Sequence, residues 1–158
     1  VHANLAADLA DLVAPLLRLG DTVCMRAFQS AVGCVNAERG NLLWSRTIGG
    51  TEGVAGNEQV IVGADASDRL TAWRTASGEV AWTSERLMYR SVSSPLAVGP
   101  TVVFVDGEGT VHWMSLDKGE PVLRLSTDSS GAAAAPVASG NTLLVVTRNG
   151  GLHAFRPE

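Results

Sequence analysis

Charge is scarce in this chain. Only 18% of its 158 residues are Asp, Glu, Lys or Arg, and they balance to a net charge of −4. A nucleic-acid-binding face needs a basic field, so that class of partner is excluded. Long apolar runs are also missing: no stretch approaches the roughly 20 residues a membrane helix requires. The opening residues do not read as a signal peptide, and none of them is a cysteine that could carry a lipid. The first residue is Val1 rather than Met, which predicts a fragment or a processed form. Cysteine is limited to Cys24 and Cys34. Two thiols without a nearby histidine make a poor ligand set, so no metal is expected. Neither a Ser/His/Asp arrangement nor a carboxylate pair stands out, so no catalytic residue is assigned.

What the chain has is glycine at regular intervals. The stretch 94–124, SPLAVGPTVVFVDGEGTVHWMSLDKGEPVLR, reads as four short strands. Leu96 to Val98 is the first and Thr101 to Val105, β-branched and apolar, is the second. Asp106-Gly107-Glu108-Gly109 suits a tight hairpin because Gly and Asp tolerate positive φ. Thr110 to Leu116 is the third strand, and Pro121 to Leu125 follows a second turn at Asp117 to Glu120.

This unit recurs. Gly20, Gly56, Gly99 and Gly140 each separate the first and second strands, at spacings of 36, 43 and 41 residues. Gly40, Gly78 and Gly119 separate the third and fourth, and four residues after them stand Trp44, Trp82 and Leu123. Two landmarks in one register, about 40 residues apart, are the signature of propeller blades. The fold expected is all-β: a β-propeller of about four blades of four antiparallel strands, half of an eight-bladed ring, with the last blade lacking a strand. Blades are expected at about 14–46, 53–83, 94–125 and 135–156, with residues 1–13 as an interblade connection. One blade cannot bury both its faces, so stacking must do it. Trp44, Trp82 and Leu123 are expected to fill the gaps between blades. The terminal blades then keep an open face, which two half rings could cover by self-association.

Each candidate for chemistry has a plainer structural reading. Cys24 and Cys34 fall on the second and third strands of the first unit, around a turn near Gln29-Ser30. They are either a cross-strand disulfide, implying an oxidising compartment, or two buried thiols. His112 and His153 occupy one repeat position, which favours a structural role. Gly107-Glu108-Gly109 precedes a strand, not the helix a phosphate loop needs. Asp65-Ala66-Ser67-Asp68 lacks the ligand count of a calcium loop and reads as a turn.

The repeats resemble those of quinoprotein-type propellers, whose pattern is Ala-x-Asp-x-x-x-Gly-x-x-x-Trp. Here Cys34-x-Asn36-x-x-x-Gly40-x-x-x-Trp44 and Ala72-x-Arg74-x-x-x-Gly78-x-x-x-Trp82 keep the Gly and Trp but not the Asp. In those dehydrogenases the ring carries pyrroloquinoline quinone, calcium and a pair of adjacent bonded cysteines. No adjacent pair exists here. A closer resemblance is to the BamB family, propeller lipoproteins of the outer-membrane β-barrel assembly machinery. It is carried by APLLRLGDTVCMRAFQSAVGCVNAERGNLLW at 14–44, SSPLAVGPTVVFVDGEGTVHWMSLDKG at 93–119 and DSSGAAAAPVASGNTLLVVTRNGGLHAF at 128–155. It aligns with the family's carboxy-terminal half, so the lipidated cysteine and earlier blades are expected in a missing part.

That resemblance implies a scaffold with no cofactor, at the periplasmic face of the outer membrane. It would bind the periplasmic POTRA domains of BamA and assist barrel insertion, with unfolded outer-membrane protein segments as a further partner. It also implies that acidic residues just before the Pro15 blade contribute, here Asp8 and Asp11. The alternatives are a quinoprotein dehydrogenase fragment and a general peptide-binding propeller acting by strand addition.

Overall fold

A computed structural model of the protein describes residues 16–27 and 31–157. Every regular element among them is a strand. The first sheet holds β1 (Leu17–Leu19), β2 (Thr22–Ala27), β3 (Ala31–Asn36) and β4 (Leu42–Thr47). The second holds β5 (Val54–Gly56), β6 (Val60–Ala64), β7 (Leu70–Arg74) and β8 (Val80–Ser84). β9 (Leu96–Val98), β10 (Thr101–Val105), β11 (Thr110–Ser115) and β12 (Pro121–Ser126) form the third. The fourth has three strands: β13 (Val137–Ser139), β14 (Thr142–Val146) and β15 (Leu152–Phe155). Within each sheet, chain order is spatial order and all neighbours are antiparallel. These are four consecutive blades of a β-propeller.

The repeat is also visible in its irregularities. Cys34, Ala72 and Trp113 are opposite Trp44, Trp82 and Leu123, and immediately after each of these pairs the register slips by one. Leu43, Ala81 and Val122 are the extra residues. A bulge tightens the local twist, so three blades twist at one point of their outer edge.

Strand alternation sends neighbouring residues to opposite faces. Each blade can therefore grip the blade before and the blade after it. Cys24, Val32, Cys34 and Trp44 of the first blade pack against Val54, Ile61 and Trp73 of the second. Val60, Val62, Leu70 and Trp82 of the second pack against Val102, Phe104, Met114 and Leu116 of the third. Val103, Val105 and Val111 of the third pack against Leu143 and Val145 of the fourth. The core is thus three slabs between blades rather than one central mass.

Trp44 and Trp82 fasten two of these slabs. Trp44 Nε1 donates to the Thr75 carbonyl at 2.7 Å and Trp82 Nε1 to the Leu116 carbonyl at 2.8 Å. Each ring lies on the turn glycine of the following blade, Gly78 or Gly119. Both glycines have positive φ (+71° and +70°), and a Cβ at either would collide with the indole. The glycine is required twice over, by conformation and by contact.

Leu123 does not do the same. It stands in the same repeat position but is 47% exposed. Its cross-strand partner Trp113 fills the gap instead, meeting Phe155 of the fourth blade edge-to-face at 5.6 Å between ring centroids. With the large ring supplied from β11, the residue opposite it on β12 is displaced outward.

Candidate functional site

The residues that could carry chemistry lie in the hairpins and interblade links. Asp65 and Asp106 begin equivalent hairpins. Asp65 Oδ1 accepts from the backbone N–H of Ser67 and Arg69, and Asp106 Oδ1 from those of Glu108 and Thr110. This is the Asx-turn chemistry by which Asp selects a tight turn.

The second oxygen of Asp106, itself buried, holds a small network. It lies 2.8 Å from His112 Nε2 and 3.4 Å from Arg90 Nη1. Burial raises the Asp106 pKa, but the hydrogen bond from His112 and those from the Thr110 and Glu108 amides outweigh it, leaving it below the ordinary value. An ionised carboxylate only accepts, so His112 Nε2 carries the proton in this bond. His112 and Arg90 are thereby anchored, while Gly107 N–H donates to the Arg90 carbonyl at 2.7 Å.

Asp128 organises the link between the third and fourth blades. Its Oδ1 accepts from the Ser130 hydroxyl and amide, and its Oδ2 from the Thr147 hydroxyl at 2.6 Å. His153 Nε2 lies 3.7 Å from the same oxygen. The Ser130 hydroxyl, then Thr147 and the Ser130 amide, hold its pKa down at about 2 against the ordinary 3.8. The two repeat-related histidines thus both face a carboxylate, one closely and one loosely.

Three further residues tie blades and links together. Arg26 is buried, donating to the carbonyls of Gly49 at 3.1 Å and Ala64 at 2.7 Å, while its Nε has no partner. Burial lowers its pKa, and Asp65 and Glu52 raise it. Asp68, at φ +65°, accepts from the amides of Ser91 and Val92 and so clamps the second link to the second hairpin. Ser94 is spent in the same way: its hydroxyl donates to Glu52 at 2.6 Å and accepts from Gly53 N–H at 3.0 Å.

Cys24 and Cys34 are directly opposite one another, fully buried and joined as a disulfide. The turn at Gln29-Ser30 lies outside the described residues, as do Asp8 and Asp11. Gly109 has φ +80° in its hairpin, and its carbonyl accepts from the Thr127 hydroxyl and amide. The glycine loop therefore holds the third link and no following helix. Among the described residues no group of three or more His, Cys, Asp or Glu is placed to hold a metal ion.

The sequence placed Asp68 and Asp106 in turns but did not show the partners they hold, and the roles of Asp128 and Arg26 went unread. Asp65 and Asp106 open equivalent hairpins, an equivalence that aligning polar as well as apolar positions makes visible. Arg26 is a lone charge inside an otherwise apolar strand. Asp68 acts across 23 and 24 residues, and Asp128 adds to its local Ser130 contacts a bond to Thr147 19 residues away, which nothing local signals.

Every one of these carboxylates is engaged by backbone amides, hydroxyls or neighbouring cations. The chemistry on view is that of a scaffold holding its links in fixed positions. Two features remain open to solvent. One is the far face of the fourth blade, with Val137, Val146 and Leu152 exposed. The other is the grooves between blades. The larger groove, about 830 Å³, lies between the third and fourth blades, floored by Trp113, Leu123, Leu143 and Phe155.

Comparison with known proteins gives a consistent picture. The family described as "Outer membrane protein assembly factor BamB" matches residues 2–84. The protein of that name from Burkholderia pseudomallei is 41% identical over 145 residues, which is 92% of this chain and 38% of the relative. The chain thus spans well under half the length of the curated relatives it matches. The crystal structure of BamB from Moraxella catarrhalis superposes with a TM-score of 0.83 at 15% identity, over 90% of this chain and 42% of that one. The computationally designed Ika4 protein superposes with a TM-score of 0.72, also at 15% identity, over 89% of this chain and 88% of that one. At such identities the structural likenesses speak to the fold alone. The sequence match covers more than half of this chain, and on that ground the chain belongs to the BamB family of outer membrane protein assembly factors.

Proposed function

We propose that this protein acts as a non-catalytic scaffold in outer-membrane protein assembly, at the periplasmic face of the outer membrane. In this reading it engages the periplasmic POTRA domains of BamA and assists the folding and insertion of β-barrel proteins. The observation that carries it is the 41% identity to an outer membrane protein assembly factor, sustained over 92% of the chain. Two features of the molecule are consistent with it. The buried Cys24–Cys34 disulfide fits an oxidising compartment such as the periplasm. The polar networks of Asp106 and Asp128 hold links in place and do not converge on a common reacting centre.

Asp8 and Asp11 are the proposed contact with BamA, as acidic residues in the connection leading into the first blade. Titration of the BamA periplasmic region against this chain tests both claims. The unaltered protein should bind, and Asp8→Lys with Asp11→Lys should weaken binding several-fold. Absence of binding by the unaltered protein would remove the reading itself. Unchanged affinity of the double variant would remove only the two residues.

A further inference from the structure

The link between the second and third blades and the two outer strands of the third enclose a cleft of about 320 Å³. Its charged and titratable lining residues are Arg86, Arg90, Arg124 and His112, and neither Asp nor Glu lines it. In a chain of net charge −4 this is a local reversal of sign. Arg90 and His112 are anchored from behind by Asp106. Arg86 and Arg124 side chains make no hydrogen bond or ion pair to any described residue. Two guanidinium groups therefore face solvent with their donors unspent, beside Arg90 and His112, which Asp106 already holds in position.

The wall that carries Arg86 and Arg90 is rigid. Tyr89 and Ser91 adopt positive φ (+60° and +55°), a conformation costly for non-glycine residues. It is sustained by Tyr89 N–H donating to the Ser67 carbonyl and by the grip of Asp68 on the Ser91 and Val92 amides. The same loop holds Tyr89 79% exposed. Arg and Tyr held rigidly at a surface are the residue types that dominate binding energy in protein interfaces.

The opposite wall is β12. It pairs with β11 and has no strand on its outer side, and Arg124 stands directly opposite His112. Leu87, Met114 and Val122 are among the residues that give the rest of the lining apolar surface. A free inorganic anion would satisfy the guanidinium groups but leave the apolar walls and the strand edge unused. An extended polypeptide uses all three, since alternate residues of a strand face one side. We infer that this cleft is a docking site for an extended acidic segment of a partner protein. Its carboxylates would meet Arg86 and Arg124, and an apolar side chain two residues away would sit against Leu87 and Val122. The inference stands apart from the proposed BamA contact, Asp8 and Asp11, which lies near the start of the sequence.

The probe is the peptide Thr-Glu-Thr-Leu-Thr-Glu-Thr, acetylated and amidated, with the Gln-for-Glu peptide as control. Binding is followed by fluorescence anisotropy and by NMR of arginine Nε–H groups. The Glu peptide should bind, weakening as salt rises, and should shift the Arg86 and Arg124 signals with the amides of Val122 to Ser126. The Gln peptide and the Arg86→Glu/Arg124→Glu variant should each lose at least about tenfold in affinity, as expected for charge-assisted pairs. Arg86→Gln/Arg124→Gln, lacking the added negative charge, should lose binding with unchanged circular dichroism. Failure of the Glu peptide to bind, equal binding of the Gln peptide, or unaltered binding by either double variant would overturn the inference. So would arginine-dependent binding of inorganic phosphate or phosphatidylglycerol vesicles without peptide binding, which would assign the cleft to a free or lipid-borne anion.

Discussion

The third and fourth blades carry the same face in two states. On the third blade, Val103 is opposite Trp113 and Val105 opposite Val111. On the fourth, Leu144 is opposite Ala154 and Val146 opposite Leu152, at equivalent repeat positions. Val103, Val105 and Val111 are fully buried under the fourth blade, whereas Val146 is 44% and Leu152 67% exposed. The side chains are chemically alike. The difference shows that burial in a propeller is conferred by the neighbouring blade and not by the sequence of the blade itself.

The largest effect should come from the Trp position. Trp82→Ala removes a buried indole, its bond to Leu116 and the filling of the second slab, at a cost of roughly 3–5 kcal/mol in urea unfolding. Leu123→Ala, at the same repeat position but half exposed, should cost less than about 1 kcal/mol. Equal losses would mean that the slab between the third and fourth blades depends on β12 after all.

Next come the paired valines. Val105→Ala should destabilise by about 1.5–3 kcal/mol, the worth of a fully buried aliphatic side chain, while Val146→Ala should stay within about 0.5 kcal/mol. The open face should also make the protein associate as its concentration rises. Val146→Glu with Leu152→Glu should suppress that association in light scattering and leave the melting temperature unchanged. A monomer at high concentration without these changes would show that the face is covered.

The smallest effect is electrostatic and separates the same two blades. The carboxyl of Asp128 has a folded-state pKa near 2, below its ordinary 3.8. Its contribution to stability is therefore fully present above about pH 4 and is lost as pH falls through about 2. Asp128→Asn should be less stable than the unaltered protein at pH 7, and the gap should close on acid titration between these limits. A gap that persists at pH 2 would assign the effect to lost geometry rather than lost charge.

Much of the fold was legible because its determinants are local. Turn glycines such as Gly78 and Gly119 need positive φ, and β-branched runs such as Thr101 to Val105 favour strands, whatever surrounds them. The Trp44 and Trp82 positions could be read because two repeats placed them in one register. Leu123 could not be read correctly from that register alone. Its role passed to Trp113, on the adjacent strand, through a contact with Phe155 more than 30 residues downstream. The cationic cleft was equally illegible: Arg86, Arg90 and Arg124 come from a link and an edge strand that only blade stacking brings together.

The sequence by itself determined that this is a propeller, where its hairpins turn, and that Cys24 and Cys34 share neighbouring strands. These follow from backbone preference and the two-residue strand period, which act over a few residues. Only the tertiary structure decided which apolar faces are covered, that Asp106 anchors Arg90 and His112, and that Asp68 and Asp128 clamp the links. Those outcomes depend on desolvation and on hydrogen bonds between segments distant in the chain. Their free energy exists only once one blade has settled against the next.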